Sequence, residues 1–240
     1  MTQSEFDHVL ATGNPGARTA LLVIALVCGV AAMVADARRW PLRPAQRLGV
    51  FAAVFAGGFV GAYLPAFVAG GLVGERVAGG RGVPMSILGA LAFSFLAVAA
   101  YKKSLRVDWD TSDAFARGTC LMMAIGRLGC HASHCCLGIK AGWGMDFGDG
   151  LRVPIQLVEA ALMFALFGAM SWLEAGDRLP HRRLFVFFVA YGLMRFVLEF
   201  AREPMGATWG GLGSYQWFAL GLAALGAFQV VRRTRRLVRA

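Results

Sequence analysis

Charge is what this sequence has least of. Asp, Glu, Lys and Arg make up 16% of its 240 residues, and 58% are hydrophobic. Soluble domains carry about 25% charge and roughly 45–50% apolar residues. So little charge excludes an ordinary soluble globule and points to an integral membrane protein. The 31 glycines, dispersed through apolar runs, suit close helix packing in lipid. Internal repeats, low-complexity linkers and any soluble domain are also missing, so the expectation is one polytopic membrane domain over residues 1–240. Acidic residues are few, 14 against 24 basic, for a net charge of +10. The basic residues track helix ends and form no face, which argues against nucleic acid and for basic cytoplasmic loops. The first apolar run is too late and too long for a cleaved signal peptide, and no small-residue cleavage pattern follows it before Arg38 and Arg39.

A bilayer core takes about 20 mostly apolar residues per helix. Runs at about 18–36, 48–73, 84–101, 114–130, 155–173, 183–201 and 211–231 qualify or nearly do, so an all-α protein with seven transmembrane helices is expected. The fourth is the weakest because it holds Arg117 and Arg127. Fifteen basic residues fall in the tail and the loops after helices 1, 3 and 5, six fall on the opposite side, and three (Arg117, Arg127, Arg195) lie within apolar segments. That asymmetry places the N-terminus outside and the C-terminus in the cytoplasm.

Ionisable groups at membrane depth are costly and face a cavity or a partner. Arg127 sits near the outer end of helix 4, and Glu159 about one turn into helix 5. Arg195 and Glu199, four apart on helix 6, share a face, and Arg202 follows at the rim. Snorkelling with structural ion pairs is one reading. The other is a cavity that grips an anionic group, such as a lipid phosphate, with guanidinium forks. Ser214, Tyr215 and Gln216 add donors near the same interface.

Gly-Arg-Leu-Gly at 126–129, Gly138, Arg-Val-Pro-Ile-Gln-Leu-Val-Glu at 152–159 and Tyr-Gly-Leu-Met-Arg-Phe-Val-Leu-Glu-Phe-Ala-Arg-Glu-Pro at 191–204 occur in that order. In this the chain resembles the bacterial prolipoprotein diacylglyceryl transferases over roughly residues 50–220. Gly57, Gly58, Gly61 and Tyr63 look like the glycine-rich second helix of that family, Met85, Ser86 and Gly89 like its third-helix entry, and Tyr215 and Gln216 like its last motif. The resemblance implies an inner-membrane enzyme with its site toward the outer face. Such an enzyme moves diacylglyceryl from phosphatidylglycerol to a preprolipoprotein cysteine thiol and releases glycerol phosphate, without a metal or other cofactor. By resemblance, Arg127 and Arg195 bind the headgroup and stabilise the leaving phosphate, Gln156 and Glu159 shape the site, and Glu199 holds Arg195. The lipid-binding set is completed by Gly138, Arg202 and Tyr215. The departures are specific. Leu88 stands where the family has a third-helix histidine, Cys130 where it has Asn, Cys135 where it has Glu, Val153 where it has a histidine before proline, and Phe59 where it has Arg.

The stretch Gly-Arg-Leu-Gly-Cys-His-Ala-Ser-His-Cys-Cys-Leu-Gly at 126–138 holds three of five cysteines and two of four histidines. A helix running through 136 would put Cys130 with His134, and His131 with Cys135, on shared faces. Four readings are open. A thiol beside an imidazole is a nucleophile, with Cys135 and His134 as the catalytic candidates. A disulfide would brace the loop. Cys130, His131, His134 and Cys135 could meet a metal, although no second cluster closes a zinc-type site. Buried cysteines can also simply pack. The haem order Cys-x-x-Cys-His is absent, and Cys28 and Cys120 lie within apolar helices as core packing. Besides the parent reaction, two functions are consistent with these residues. One is a related lipid or acyl transferase with another acceptor and a Cys/His site. The other is a non-catalytic membrane thiol-redox or metal-handling module.

Overall fold

A computed structural model describes residues 12–73, 86–107, 109–203 and 208–239. His8, Arg76, Arg81, Met85, Pro204 and the start of the run at 84 lie outside the described residues. Among those described, seven helices follow one another. They are α1 (Pro15–Ala37), α2 (Pro44–Val73), α3 (Ile87–Ser104), α4 (Ala114–Ala132), α5 (Ile155–Ala175), α6 (Arg183–Glu199) and α7 (Ser214–Arg239). Five are long and apolar enough to cross a membrane: α1, Pro44–Leu64 of α2, α3, α5, and Ser214–Arg235 of α7. α4 and α6, which carry Arg117, Arg127 and Arg195, are the shorter or more polar pair. They are also interior, each with eight or more buried residues. The outward side chains of α1, among them Val23 and Val27, are exposed hydrophobics, as a lipid-facing surface requires.

Local chemistry sets several boundaries. The Asn14 side chain accepts from Ala17 N at 2.9 Å, and Pro15 occupies the first turn of α1. Ser86 Oγ accepts from Gly89 N to start α3. Asp113, just before α4, turns its carboxylate to another helix. It accepts from the backbone N–H of His181 at 2.6 Å and of Arg183 at 2.9 Å, where α6 begins. A carboxylate there satisfies orphan donors and the positive end of the helix dipole.

The helices pack chiefly as pairs, α1 on α4, α2 on α3, α4 on α5 and α6 on α7. Glycine permits the close approaches. A Cβ on Gly61 would lie 2.3 Å from Gly89 O, and one on Gly118 would lie 2.5 Å from Gly29 O. Aromatic rings fill the centre, with Phe95 edge-on to Phe185 and Phe188. Leu88 and Cys120 belong to the same apolar core, whereas Phe59 is exposed and packs on Tyr63.

The long connection after α4 is more ordered than a loop. Strand β1 (Lys140–Asp146) pairs antiparallel with β2 (Leu151–Arg152). Asp146 Oδ1 accepts from Gly148 N and Gly150 N, closing the turn. A second small hairpin, β3 (Thr208–Trp209) and β4 (Leu212–Gly213), turns on Gly210 and Gly211 and leads into α7. A cavity of about 730 Å³ lies at the other end of the bundle, among Lys102, Lys103, Arg232 and Arg233. It is remote from Arg127.

Candidate active site

The polar residues at the ends of α4, α5 and α6 form one alternating chain of charge. Arg127 Nη2 lies 2.8 Å from Glu159 Oε1. Glu159 Oε2 lies 3.8 Å from Arg202 Nη1. Arg202 Nε lies 3.9 Å from Glu199 Oε2, and the same oxygen is 2.6 Å from Arg195 Nη1. Exposure of these side chains runs from 1% at Glu159 to 12% at Arg127 and Glu199. Three guanidiniums face two carboxylates, so these five side chains carry one surplus positive charge inside the bundle when the neighbouring cysteines are protonated. Isolated buried charges are costly, and an anion of charge −1 would make the chain neutral. Arg202 is the loosest link, because both of its carboxylate contacts exceed hydrogen-bond length. Tyr191 is fully buried against Arg127, Glu159 and Arg195. Tyr215 feels the charges of Glu199, Arg195 and Arg202 from α7. Gln216 accepts from Gly213 N and holds the entry to α7.

A backbone strap holds this end together. Ile139 N donates to Ala201 O, Glu203 N to Leu137 O, and Val153 N to Ile139 O, each at 3.1 Å. Gly138 bridges to Arg202 in the same ladder. A Cβ on Gly138 would lie 2.2 Å from Val153 O, so only glycine fits. Arg152 is completely buried and fastens the strap. It donates to Gly138 O and Glu203 Oε2 at 2.8 Å and to Asp149 Oδ2 at 2.6 Å. The Arg152 hydrogen bond holds the Asp149 carboxyl below its usual range, against a smaller opposing effect of burial. Sequence reasoning counted Arg152 among the outer-side charges and at the head of the segment 152–159, but gave it no role. Its place before Val-Pro-Ile-Gln was the available signal.

The run expected at about 114–130 forms α4, and the helix does not continue through 136. α4 ends at Ala132 and closes in a Schellman turn. His134 N donates to His131 O at 3.0 Å, and Cys135 N to Cys130 O at 3.1 Å. His134 takes the left-handed position usual for glycine, at φ 50°, and Cys136 is left-handed too, at φ 58°. The turn folds Cys135 back over Cys130, and the three sulfurs of Cys130, Cys135 and Cys136 come within 4.8 Å of one another. Neither histidine joins them. His134 Nδ1 meets Thr12 Oγ1 at 2.9 Å, and both imidazoles pack edge-on to Phe147. The mixed set Cys130, His131, His134 and Cys135 is therefore not gathered, and among the described residues no hydrogen bond links His134 to Cys135. Ser133 Oγ donates to Cys135 Sγ at 3.4 Å, and Gln156 Nε2 to Cys135 O at 2.8 Å. Arg127 Nη1 is 4.0 Å from Cys130 Sγ. Hydrogen bonds from Cys130 and Cys135 hold the Cys136 thiol well below its usual pKa against burial, helped by Arg202 and Arg127. All five cysteines are free.

Seven helices among the described residues, five of span length, and a buried charge chain with a cationic surplus define an all-helical protein of the membrane-crossing type. The buried charge chain lies at one end of the bundle and the basic cavity at the other. The prolipoprotein diacylglyceryl transferase family matches residues 19–232, and the chain belongs to that family. Curated relatives named phosphatidylglycerol–prolipoprotein diacylglyceryl transferase include those of Bordetella parapertussis, Idiomarina loihiensis and Leifsonia xyli. The first is 33% identical over 159 residues, 62% of this chain and 60% of the relative. The second is 30% identical over 168 residues, 66% and 62%. The third is 33% identical over 135 residues, 50% and 40%. The chain thus spans about three fifths or less of the length of these relatives.

Proposed function

We propose that the chain is a diacylglyceryl transferase acting on phosphatidylglycerol, with a lipoprotein cysteine thiol as acceptor. In this reading it spans the bacterial inner membrane seven times, as a single domain, with the N-terminus and the charge chain toward the outer face. The observation that carries the reading is the single surplus guanidinium in a buried chain of five charges. A phosphodiester headgroup supplies one negative charge and makes the chain neutral. Family membership and the names of the relatives supply the reaction class.

The chemistry follows from that match. The acceptor sulfur attacks the glycerol carbon of the diacylglyceryl group. An S–C bond forms, the C–O bond to phosphate breaks, and the electron pair leaves with the phosphate oxygen. The thiol proton ends on the released glycerol phosphate or in water. Arg127, Arg195 and Arg202 stabilise charge that grows on the departing phosphate, which is where fixed donors accelerate a reaction most. Glu159 and Glu199 hold the guanidiniums before the lipid arrives, so little reorganisation is needed. Gly138 and Gln156 keep the loop against the lipid site, and Tyr191 and Tyr215 line it. Leu88, buried in the core, takes no part in proton transfer.

The test is release of glycerol phosphate from headgroup-labelled phosphatidylglycerol by the protein in detergent, reduced, with and without a lipobox peptide. Peptide-dependent release is expected. No release from monodisperse, folded protein would overturn the reading.

A further inference from the structure

The geometry points to a site for one soft d10 cation at Cys130, Cys135 and Cys136, with Cu⁺ the best fit by donor number. Three sulfurs bound to a common cation at about 2.3 Å sit roughly 4 Å apart, and these three lie within 4.8 Å of one another. Hard cations such as Ca²⁺ or Mg²⁺ take oxygen ligands, whereas thiolates select Cu⁺ and Zn²⁺. Zn²⁺ would need a fourth donor such as water; of the two adjacent histidines, His134 is engaged with Thr12, and His131 packs on Phe147 outside the sulfur cluster.

Three further observations make this more than a coincidence of cysteines. The convergence is built by backbone, since the Schellman turn carries two left-handed non-glycine residues, His134 and Cys136. Such positions cost on the order of 1 kcal/mol each and persist where the surroundings impose them. The loop is then pinned from α5 by Gln156, whose amide holds the Cys135 carbonyl. Finally, donors stand beside two of the sulfurs, the Arg127 guanidinium 4.0 Å from Cys130 Sγ and the neutral Ser133 hydroxyl 3.4 Å from Cys135 Sγ. On binding, three S–H bonds break, three protons go to water and three S–Cu bonds form, with no change of oxidation state. The resulting site carries a charge of −2, beside the surplus cation of the arginine chain. It would therefore place metal occupancy next to the lipid site. The inference itself does not depend on diacylglyceryl transfer.

The test titrates the full chain in detergent, fully reduced and anaerobic, with Cu⁺ against bathocuproine disulfonate. A parallel titration uses Zn²⁺ against a chromophoric chelator. One Cu⁺ per chain is expected, with affinity falling roughly 100-fold or more in each of Cys130→Ser, Cys135→Ser and Cys136→Ser and unchanged in Cys28→Ser. One Zn²⁺ with the same dependence supports the site and reassigns its ion. X-ray absorption of the loaded wild-type protein should show three sulfur neighbours, a readout that stands even if a serine variant fails to fold. Overturning results are no stoichiometric binding of either ion, binding undiminished in the triple variant, or a disulfide in protein prepared without oxidant.

Discussion

Arg127→Ala separates the structural role of the charge chain from its chemical one. Glu159 is 1% exposed and has Arg127 at 2.8 Å, with its other cation, Arg202, at 3.8 Å. Removing one partner of a buried pair costs about 3–5 kcal/mol, because the remaining charge stays buried. The looser Arg202 contact places this case toward the lower end. The surplus positive charge also disappears. If Arg127 stabilises the leaving phosphate, its loss should lower turnover by about 10²–10³-fold, the usual effect of removing one fixed donor. The second variant, Arg127→Ala with Glu159→Gln, removes both partners and restores the surplus through Arg195, Arg202 and Glu199. Its thermal stability in detergent should recover most of the loss. Its glycerol phosphate release should stay low, because overall charge is restored but the donor is not. Turnover near wild type in either variant would refute the assignment. A double variant no more stable than the single would refute the electrostatic account of Glu159.

Three further outcomes follow from the strap and the turn. Gly138→Ala should destabilise the protein by about 2 kcal/mol or more and reduce turnover, because the new methyl meets the Val153 carbonyl; a thermal melt checks it, and an unchanged melting temperature would contradict the strap. His134→Gly should stabilise by up to about 1 kcal/mol, since glycine accepts the left-handed C′ position, with turnover retained; loss of turnover would instead restore His134 as a catalytic group. Asp149 is held below its usual pKa by Arg152, so it adds stability that is complete above the unfolded value near 4 and is lost as pH falls through the folded value. The stability gap between wild type and Asp149→Asn should therefore be constant near neutrality and shrink in acid; a gap that widens in acid would reverse the sign.

How much of this was legible depended on the kind of signal. Charge within apolar runs stands out because burying it is costly, so Arg127, Glu159, Arg195 and Glu199 drew notice from sequence alone. The four-residue spacing of Arg195 and Glu199 gives the 2.6 Å contact directly. The end of the α4 run was placed within two residues, but the turn that follows was not legible, because the residue in its left-handed cap is histidine where glycine would have announced it. A helix continued through 136 would have paired Cys130 with His134 and Cys135 with His131. The actual turn instead pairs cysteine with cysteine and sends the histidines to Phe147. Arg152 was missed for another reason. Its partners, Asp149, Gly138 and Glu203, converge through a hairpin and a bridge that no period in the sequence encodes.

The two attachments of α6 act on the same body. Asp113 grips its first turn, and the strap through Leu137 and Ile139 grips the residues just past its last. In mechanical terms α6 is a beam clamped at both ends, so Arg195 and Glu199 stand at a fixed height in the bundle and cannot slide to meet a ligand. Such a beam works as a depth gauge. In the proposed function, a headgroup that floats higher or lower than the clamped guanidinium would forfeit the contact, whatever its charge.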